Sequence, residues 1–161
     1  MNKIFILFII GLFSFIWSCS SSKSNFSLND KSVKTNATYI VPFRFYNLSA
    51  QIEEVFEKNK AEVDSIISFI NKHPKYIFEI GVYTDYRGAD ALNLKVSEKQ
   101  AICFAHYLIT KGVNTAQLKI KGYGETNLIN DETKINSLQS EEEKTNAHLE
   151  NGRIIIKVLK K

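Results

Sequence analysis

The chain has 161 residues, of which 44% are hydrophobic, and a formal net charge of +4. This length suits one modest hydrophobic core and is too short for two full-sized domains. Charges of both signs are scattered without a basic run, so the composition does not predict nucleic acid as a partner.

The chain opens with the pattern of a secretion signal that ends at a cysteine. Lys3 supplies the positive charge, an apolar run extends to Phe15, and Ser18 precedes Cys19. About a dozen apolar residues are too few to span a ~30 Å hydrocarbon core, which favours a cleaved signal over a permanent anchor. The small residue before the cysteine resembles a bacterial lipobox, where the thiol is acylated, although Trp17 departs from that pattern. Two alternatives stay open: an ordinary signal with an incidental cysteine, and an uncleaved anchor.

We therefore predict a signal peptide over residues 1–18, a lipidated flexible tether over 19–36 and one folded domain over 37–161. The tether prediction rests on composition, because residues 20–36 are mostly Ser, Asn, Lys and Thr and have little apolar surface to offset the entropy of ordering. Such a tether would let the domain stand off the membrane. With Cys19 acylated, Cys103 has no disulfide partner and is interpreted as a small buried hydrophobe.

The folded part alternates between strand and helix patterns. A strand is predicted over 39–45, followed by one helix with Ser49 as its N-cap that runs from Ile52 to about His73, before Pro74. A second strand over 76–82 ends in a polar turn at 84–88. A second helix follows, and Gly112 closes it. Its predicted buried stripe consists of apolar residues at helical spacing: Leu92, Val96, Ile102, Ala105 and Ile109.

The remaining elements complete a sheet. A third strand begins at Leu118, and a last strand over 153–159 ties the C-terminus into the sheet. The acidic run at 141–143 could open a short helix, but a solvated face is the favoured interpretation. The order β-α-β-α-β-β predicts an α/β fold, a two-layer sandwich of two helices on one mixed sheet. A strand–helix–strand crossover makes strands parallel, and the final pair can be antiparallel.

Four segments, in this order, resemble the OmpA-like peptidoglycan-binding domain: 78–88 (FEIGVYTDYRG), 93–101 (NLKVSEKQA), 121–125 (KGYGE) and 151–153 (NGR). The resemblance covers most of 39–161 and implies the OmpA C-terminal-like version of the sandwich. It implies non-covalent recognition of the peptidoglycan stem peptide, especially of a diaminopimelate residue that carries an ammonium and a carboxylate. Together with the N-terminal lipid, it implies an outer-membrane lipoprotein whose domain faces the periplasm and holds the cell wall.

The resemblance also assigns five residues to a peptidoglycan-binding pocket. Asp85 matches the ammonium-binding Asp, and Thr84 and Asn93 match polar positions beside it. Gln100 stands where the family has a carboxylate-binding Arg, and Arg153 belongs to the closing motif. Because Gln donates only neutral hydrogen bonds, while Arg forms a bidentate charged pair, we expect binding to be weakened tenfold or more.

Other departures from the family pattern lie in the same region. Tyr83 stands where the family commonly has His, and Gly152 removes one arginine of a closing pair. Arg153, Arg87 or Lys99 could supply the missing cation. Backbone amides at the N-terminus of the second helix could also attract the ligand carboxylate.

Each assigned residue has a purely structural alternative. Asp85 could organise the turn, Gln100 could be a surface residue of a decayed pocket, and Asn93 and Arg153 could form structural hydrogen bonds at element ends. The alternative function is therefore a degenerate domain that keeps the fold and binds envelope proteins as a scaffold.

An enzymatic function finds little support in the sequence. The three histidines, His73, His106 and His148, are scattered and have no metal-site or nucleophile spacing. Cys103 and His106 share a helix face, but such a pair on an apolar helix is typical of packing. We predict no catalytic residue, no metal and no cofactor.

Overall fold

The computed structural model describes residues 24–44 and 52–161. The predicted signal peptide, the lipidation site Cys19 and the N-cap Ser49 lie outside these residues, so these predictions remain predictions. Within the described ranges, no helix is long and apolar enough to cross a membrane.

Four strands form one mixed sheet in the order β1-β4-β2-β3. β4 is antiparallel to both of its neighbours, and β2 is parallel to β3. Helices accompany the sheet, so the predicted α/β fold class is confirmed. A 3₁₀ turn, Thr115–Gln117, leads into the third strand. The other elements of the described ranges are β1 Thr38–Val41, α1 Ile52–Lys58, α2 Lys60–Lys72, β2 Ile77–Tyr83, α3 Asp90–Thr110, β3 Leu118–Gly124, α4 Glu132–Asn136, α5 Glu141–Asn151 and β4 Ile154–Lys160.

The core lies between one face of the sheet and the helices α1, α2 and α3. Alternate residues of the two central strands point into it, as the period of two requires. Phe56 and Phe104 join the helices, with ring centroids 5.5 Å apart. Each such fully buried side chain contributes on the order of 1.5–3 kcal/mol to folding. The strand residues of this core are Phe78, Ile80, Val82, Ile154, Ile156 and Val158.

Two predictions about elements need correction, and the acidic run agrees with both of its interpretations. The single helix predicted from Ile52 is two helices, because the Asn59 side chain donates to the Val55 carbonyl at 2.8 Å and so caps α1. The last strand is antiparallel, but its partners are β1 and β2 rather than β3. Both interpretations of the acidic run are confirmed: Glu141 and Glu142 are exposed, and the run opens α5, where Ser140 and Glu143 form a capping box whose backbone hydrogen bonds lower the pKa of Glu143.

The predicted buried stripe of α3 is partly wrong, although Val96 and Ile109 are half-buried and Ile109 packs against the core. Leu92 and Ile102 are 57% and 55% exposed, whereas Ala105 is buried as expected. The buried face is displaced around the helix and is polar in its first half, because that half borders a cavity rather than the apolar core. Its members are Asn93, Ser97, Gln100, Ala101, Phe104, Ala105 and Leu108.

α3 lies unusually close to β3, and this approach fixes where the first half of the helix sits. A Cβ atom on Gly122 would lie 2.3 Å from the Glu98 backbone nitrogen, so only glycine fits there. The fully buried Ser97 hydroxyl accepts a hydrogen bond from the Gly124 amide at 2.8 Å. A hydrogen bond from the backbone of β3 to a side chain of α3 therefore joins the strand to the helix near the cavity.

The segment predicted as a flexible tether is folded over residues 24–36, which we call the N-terminal strap. Phe26 stacks on Phe69 of α2 with ring centroids 5.2 Å apart, and Val33 is buried. Asn25 and Thr38 exchange two hydrogen bonds, of 2.9 and 2.7 Å, along the edge of β1. The composition predicted that the entropy of ordering would keep this segment flexible. The burial of Phe26 and Val33 offsets that entropy, so the fold begins well before residue 37.

Candidate binding site

A cavity of about 300 Å³ opens where β2 ends, α3 begins and β4 starts. All five residues that the sequence assigned to a pocket line this cavity: Thr84, Asp85, Asn93, Gln100 and Arg153. They come from three separate elements, so the convergence is a product of the fold. Their role in ligand binding remains a prediction.

Asp85 follows β2, and its carboxylate is already engaged. It accepts hydrogen bonds from the backbone nitrogen and the Nε of Arg87, at 3.0 and 2.9 Å. The Arg87 side chain is 63% exposed, while that of Asp85 is 17% exposed. The hydrogen bond to Asp85 raises the pKa of Arg87. A cationic ligand group that reaches Asp85 must therefore displace an exposed guanidinium.

Asn93 has a structural role in addition to its place in the cavity wall. Its Nδ2 donates to the Glu125 carboxylate at 2.7 Å and to the Asp85 carbonyl at 3.3 Å. These bonds tie the turn after β2 to α3 and to the loop after β3. Asn93 thus forms structural hydrogen bonds through its side-chain amide nitrogen, as the structural alternative for this residue predicts.

Arg153 is a buried cation, only 7% exposed. It donates to the carbonyl oxygens of Asn151 and Asn127 at 3.0 and 2.9 Å, and its guanidinium carbon lies 4.0 Å from the Tyr83 ring centroid. Burial lowers its pKa. Among the described residues, no carboxylate lies within 4.0 Å of it. Its charge is therefore stabilised by two backbone carbonyl groups and by the face of the Tyr83 ring rather than by an acidic side chain.

Tyr83 explains how that cation is supported. Its ring stacks on Tyr123 with centroids 4.5 Å apart and an angle of 2° between the planes. Burial raises the pKa of the Tyr83 hydroxyl, so it stays neutral. The aromatic residue that stands where the family commonly has His thus forms the platform on which the Arg153 guanidinium rests.

Three buried polar side-chain atoms in the described ranges lack a hydrogen-bond partner: Thr84 Oγ1, His148 Nδ1 and Arg153 Nε. All three residues line this cavity. An unsatisfied buried polar atom costs about 1–3 kcal/mol, and native proteins have few of them. Their concentration around one cavity marks the part of the described ranges where the fold leaves buried polar side-chain atoms without partners.

Sequence reasoning missed two lining residues with ionisable side chains, His148 and Arg44. His148 Nδ1 lies 3.8 Å from Asp85 Oδ2, and its ring lies 5.2 Å from that of Tyr86. No local pattern signals this, because α5 reaches the cavity only through tertiary packing. Of the cations proposed from sequence, Arg87 and Arg153 line the cavity, whereas Lys99 is exposed and is not part of its wall.

Comparison with known proteins gives a consistent result. A family model described as the OmpA family matches residues 44–142. A peptidoglycan-associated lipoprotein from Pasteurella multocida is 26% identical over 129 residues, covering 74% of this chain and 81% of that protein. Outer membrane protein P5 from Haemophilus influenzae is 30% identical over 97 residues, covering 60% of this chain but only 25% of that longer protein.

Two solved structures illustrate the shared fold. The peptidoglycan-associated lipoprotein from Burkholderia pseudomallei superposes with a TM-score of 0.53 and 23% identity, covering 74% of this chain and 87% of that one. The periplasmic domain of Helicobacter pylori MotB gives a TM-score of 0.57 and 18% identity, covering 80% and 79% of the two chains. These similarities show the OmpA C-terminal-like architecture.

Proposed function

The chain belongs to the OmpA family, and from this membership we propose that its domain binds the stem peptide of peptidoglycan, without covalent attachment, in the cavity at the end of β2. We also propose that an acyl group on Cys19 anchors the chain in the outer membrane, with the domain in the periplasm. The chain then ties the membrane to the cell wall. No catalytic role is proposed, because OmpA-like domains are structural.

The observation that carries this proposal is the grouping of unsatisfied polar atoms. The three buried side-chain nitrogen and oxygen atoms without a hydrogen-bond partner in the described ranges belong to residues that line the same cavity as Asp85. A diaminopimelate side chain offers an ammonium, a carboxylate and hydrogen-bonding groups on one short stem. Such a ligand can satisfy donors and acceptors that the protein leaves open.

We assign the two ligand charges to two residues of the cavity. The ammonium binds Asp85 once Arg87 has moved aside, and the carboxylate binds Arg153. Arg153 takes the part of the arginine that Gln100 replaces, because it has an unpaired Nε and no acidic partner among the described residues. A charged hydrogen bond contributes roughly 1.5–3 kcal/mol, so losing either residue weakens binding tenfold or more.

The test is co-sedimentation with isolated sacculi that contain diaminopimelate. The protein is the unacylated mature chain, residues 19–161 with Cys19→Ser, which retains every described residue. Asp85→Ala should reduce pelleting tenfold or more, and Asp85→Asn should behave similarly because it keeps the shape but removes the charge. Asp64→Asn, on the exposed surface of α2, is the matched control and should pellet like the unsubstituted chain. Equal pelleting of Asp85→Ala and the control would contradict the assignment.

A scaffold function is the second candidate, and the site itself offers a reason to consider it. Gln100 replaces the family's arginine, and Arg87 already pairs with Asp85. Gln100→Arg separates the two functions in the same assay. Pelleting that becomes about tenfold stronger supports a working wall anchor, while pelleting that appears only in Gln100→Arg shows a pocket that has lost its charge partner and points to envelope proteins as ligands.

A further inference from the structure

The end of the domain opposite the cavity carries a cluster of lysines, which we call the basic pole. β2 and β3 begin at this end, β4 and α2 finish there, and the N-terminal strap turns across it. The cavity lies at the other end of the same strands. The six lysines of the basic pole are Lys31, Lys34, Lys72, Lys75, Lys160 and Lys161.

Contacts between chain segments hold these lysines at one end of the molecule. His73 Nε2, at the end of α2, lies 3.3 Å from the Lys31 carbonyl oxygen of the strap. Lys161 Nζ lies 5.9 Å from the Tyr76 ring centroid, and the His73 and Tyr76 rings are 4.8 Å apart. The Asn36 amide donates to the Val158 carbonyl of β4 at 2.7 Å. The strap, the end of α2 and the end of β4 therefore form one surface.

This surface is strongly and openly positive. All six lysines are exposed, and none lies within 4.0 Å of a carboxylate of the described residues. Asp30 is the acidic residue of the strap, and its carboxylate accepts a hydrogen bond from the Ser27 amide at 2.8 Å. The lysines thus form a positive surface to which an extended anionic surface can bind.

The strap also limits how far the domain can lie from a lipid on Cys19. The Ser24 hydroxyl accepts a hydrogen bond from the Ile40 amide at 2.8 Å, which holds the start of the described chain beside β1. The five residue steps from Cys19 to Ser24 extend at most about 18 Å in any conformation. Ile40 pairs with Ile155, five residues or about 17 Å along β4 from Lys160, so a fully extended tether only just reaches from Ser24 to the basic pole.

We propose that the basic pole binds the surface of a bilayer that contains anionic lipids, so that the cavity faces away from the membrane toward the wall. The proposal rests on the lipid anchor of the proposed function, since that anchor keeps the domain within reach of the bilayer. One acyl group with a polybasic patch is a known two-part route to stable membrane binding. The domain is then a juxtamembrane module with a fixed orientation.

The test is co-sedimentation of the unacylated mature chain with vesicles of phosphatidylcholine alone or with 30% phosphatidylglycerol. The chain should bind the anionic vesicles and release them as salt rises. The pole variant is Lys31→Gln, Lys75→Gln and Lys161→Gln together. Each lysine near an anionic surface is worth about fivefold in affinity, so this variant should bind about a hundredfold more weakly.

The control variant neutralises three exposed lysines at the other end, Lys95→Gln, Lys99→Gln and Lys134→Gln, and has the same net charge. It should bind anionic vesicles within a few fold of the unsubstituted chain. Equal losses in the two variants, or no preference for anionic vesicles, would overturn the proposal. Pelleting with sacculi reports the cavity separately: the pole variant should retain it, and a chain that binds vesicles but not sacculi would contradict the proposed function while supporting the basic pole.

Discussion

The two halves of α3 bury opposite kinds of side chain against the same sheet. The second half packs apolar residues into the core, and its centre is Phe104, whose ring lies 5.8 Å from that of Phe43. The first half buries the amides of Asn93 and Gln100 at the cavity wall and the hydroxyl of Ser97 against β3. One continuous helix thus serves as a core element at one end and as a wall of the site at the other.

This difference teaches that burial in one helix can serve stability or binding, depending on its neighbour. Apolar burial needs only complementary shape, whereas each buried polar atom needs its own partner. The second half meets that demand within the fold. The first half meets it through other segments, with the Glu125 carboxylate as a partner of Asn93 and the Gly124 amide as a partner of Ser97, and its residues Asn93 and Gln100 also line the cavity. Substitutions in the two halves should therefore separate stability from binding.

The largest effect is expected in the apolar half. Phe104→Ala should lower the free energy of unfolding by about 3–5 kcal/mol, because it removes a fully buried ring and leaves a cavity among other aromatic rings. Urea denaturation measures this. Ile102→Ala, two residues away but exposed, is the control and should cost less than about 0.5 kcal/mol. Similar costs for the two would show that the second half of α3 is not the core contact described above.

A smaller effect is expected where α3 meets β3. Ser97→Ala should cost about 1–3 kcal/mol, because it leaves the Gly124 amide buried without its acceptor. The control is Ser65→Ala, since the exposed Ser65 hydroxyl bonds only the Ala61 carbonyl of its own helix. A Ser97 variant as stable as this control would mean that the hydrogen bond between helix and strand contributes little.

The fold class and the place of the site could be predicted because both depend on local pattern. Strand alternation and the Thr84–Asp85 turn can be recognised from neighbouring residues. The motif resemblance assigned Gln100 and Arg153 to the same pocket. Strand order could not be predicted, since nothing local says that β4 lies between β1 and β2.

The errors have a common physical cause, which is that burial depends on the partner as well as on the residue. Leu92 and Ile102 are apolar but find no partner surface, while Phe26 in a polar segment finds Phe69. His148 joins the cavity through α5 packing, at a sequence distance that no motif records. Periodicity measures the tendency of a side chain to be buried, and the tertiary fold decides whether a partner surface is available to bury it.

The smallest expected effect tests the pair at the mouth of the cavity. Arg87→Ala should strengthen pelleting with sacculi by up to about fivefold, because it removes a cation that competes with the ligand for Asp85. The gain is small since exposed ion pairs contribute only about 0–1 kcal/mol. Lys99→Ala removes an exposed charge outside the cavity and controls for net charge. If Arg87→Ala instead weakens pelleting relative to Lys99→Ala, Arg87 contacts the ligand itself. The ligand carboxylate is then bound by both Arg87 and Arg153 rather than by the buried Arg153 guanidinium alone.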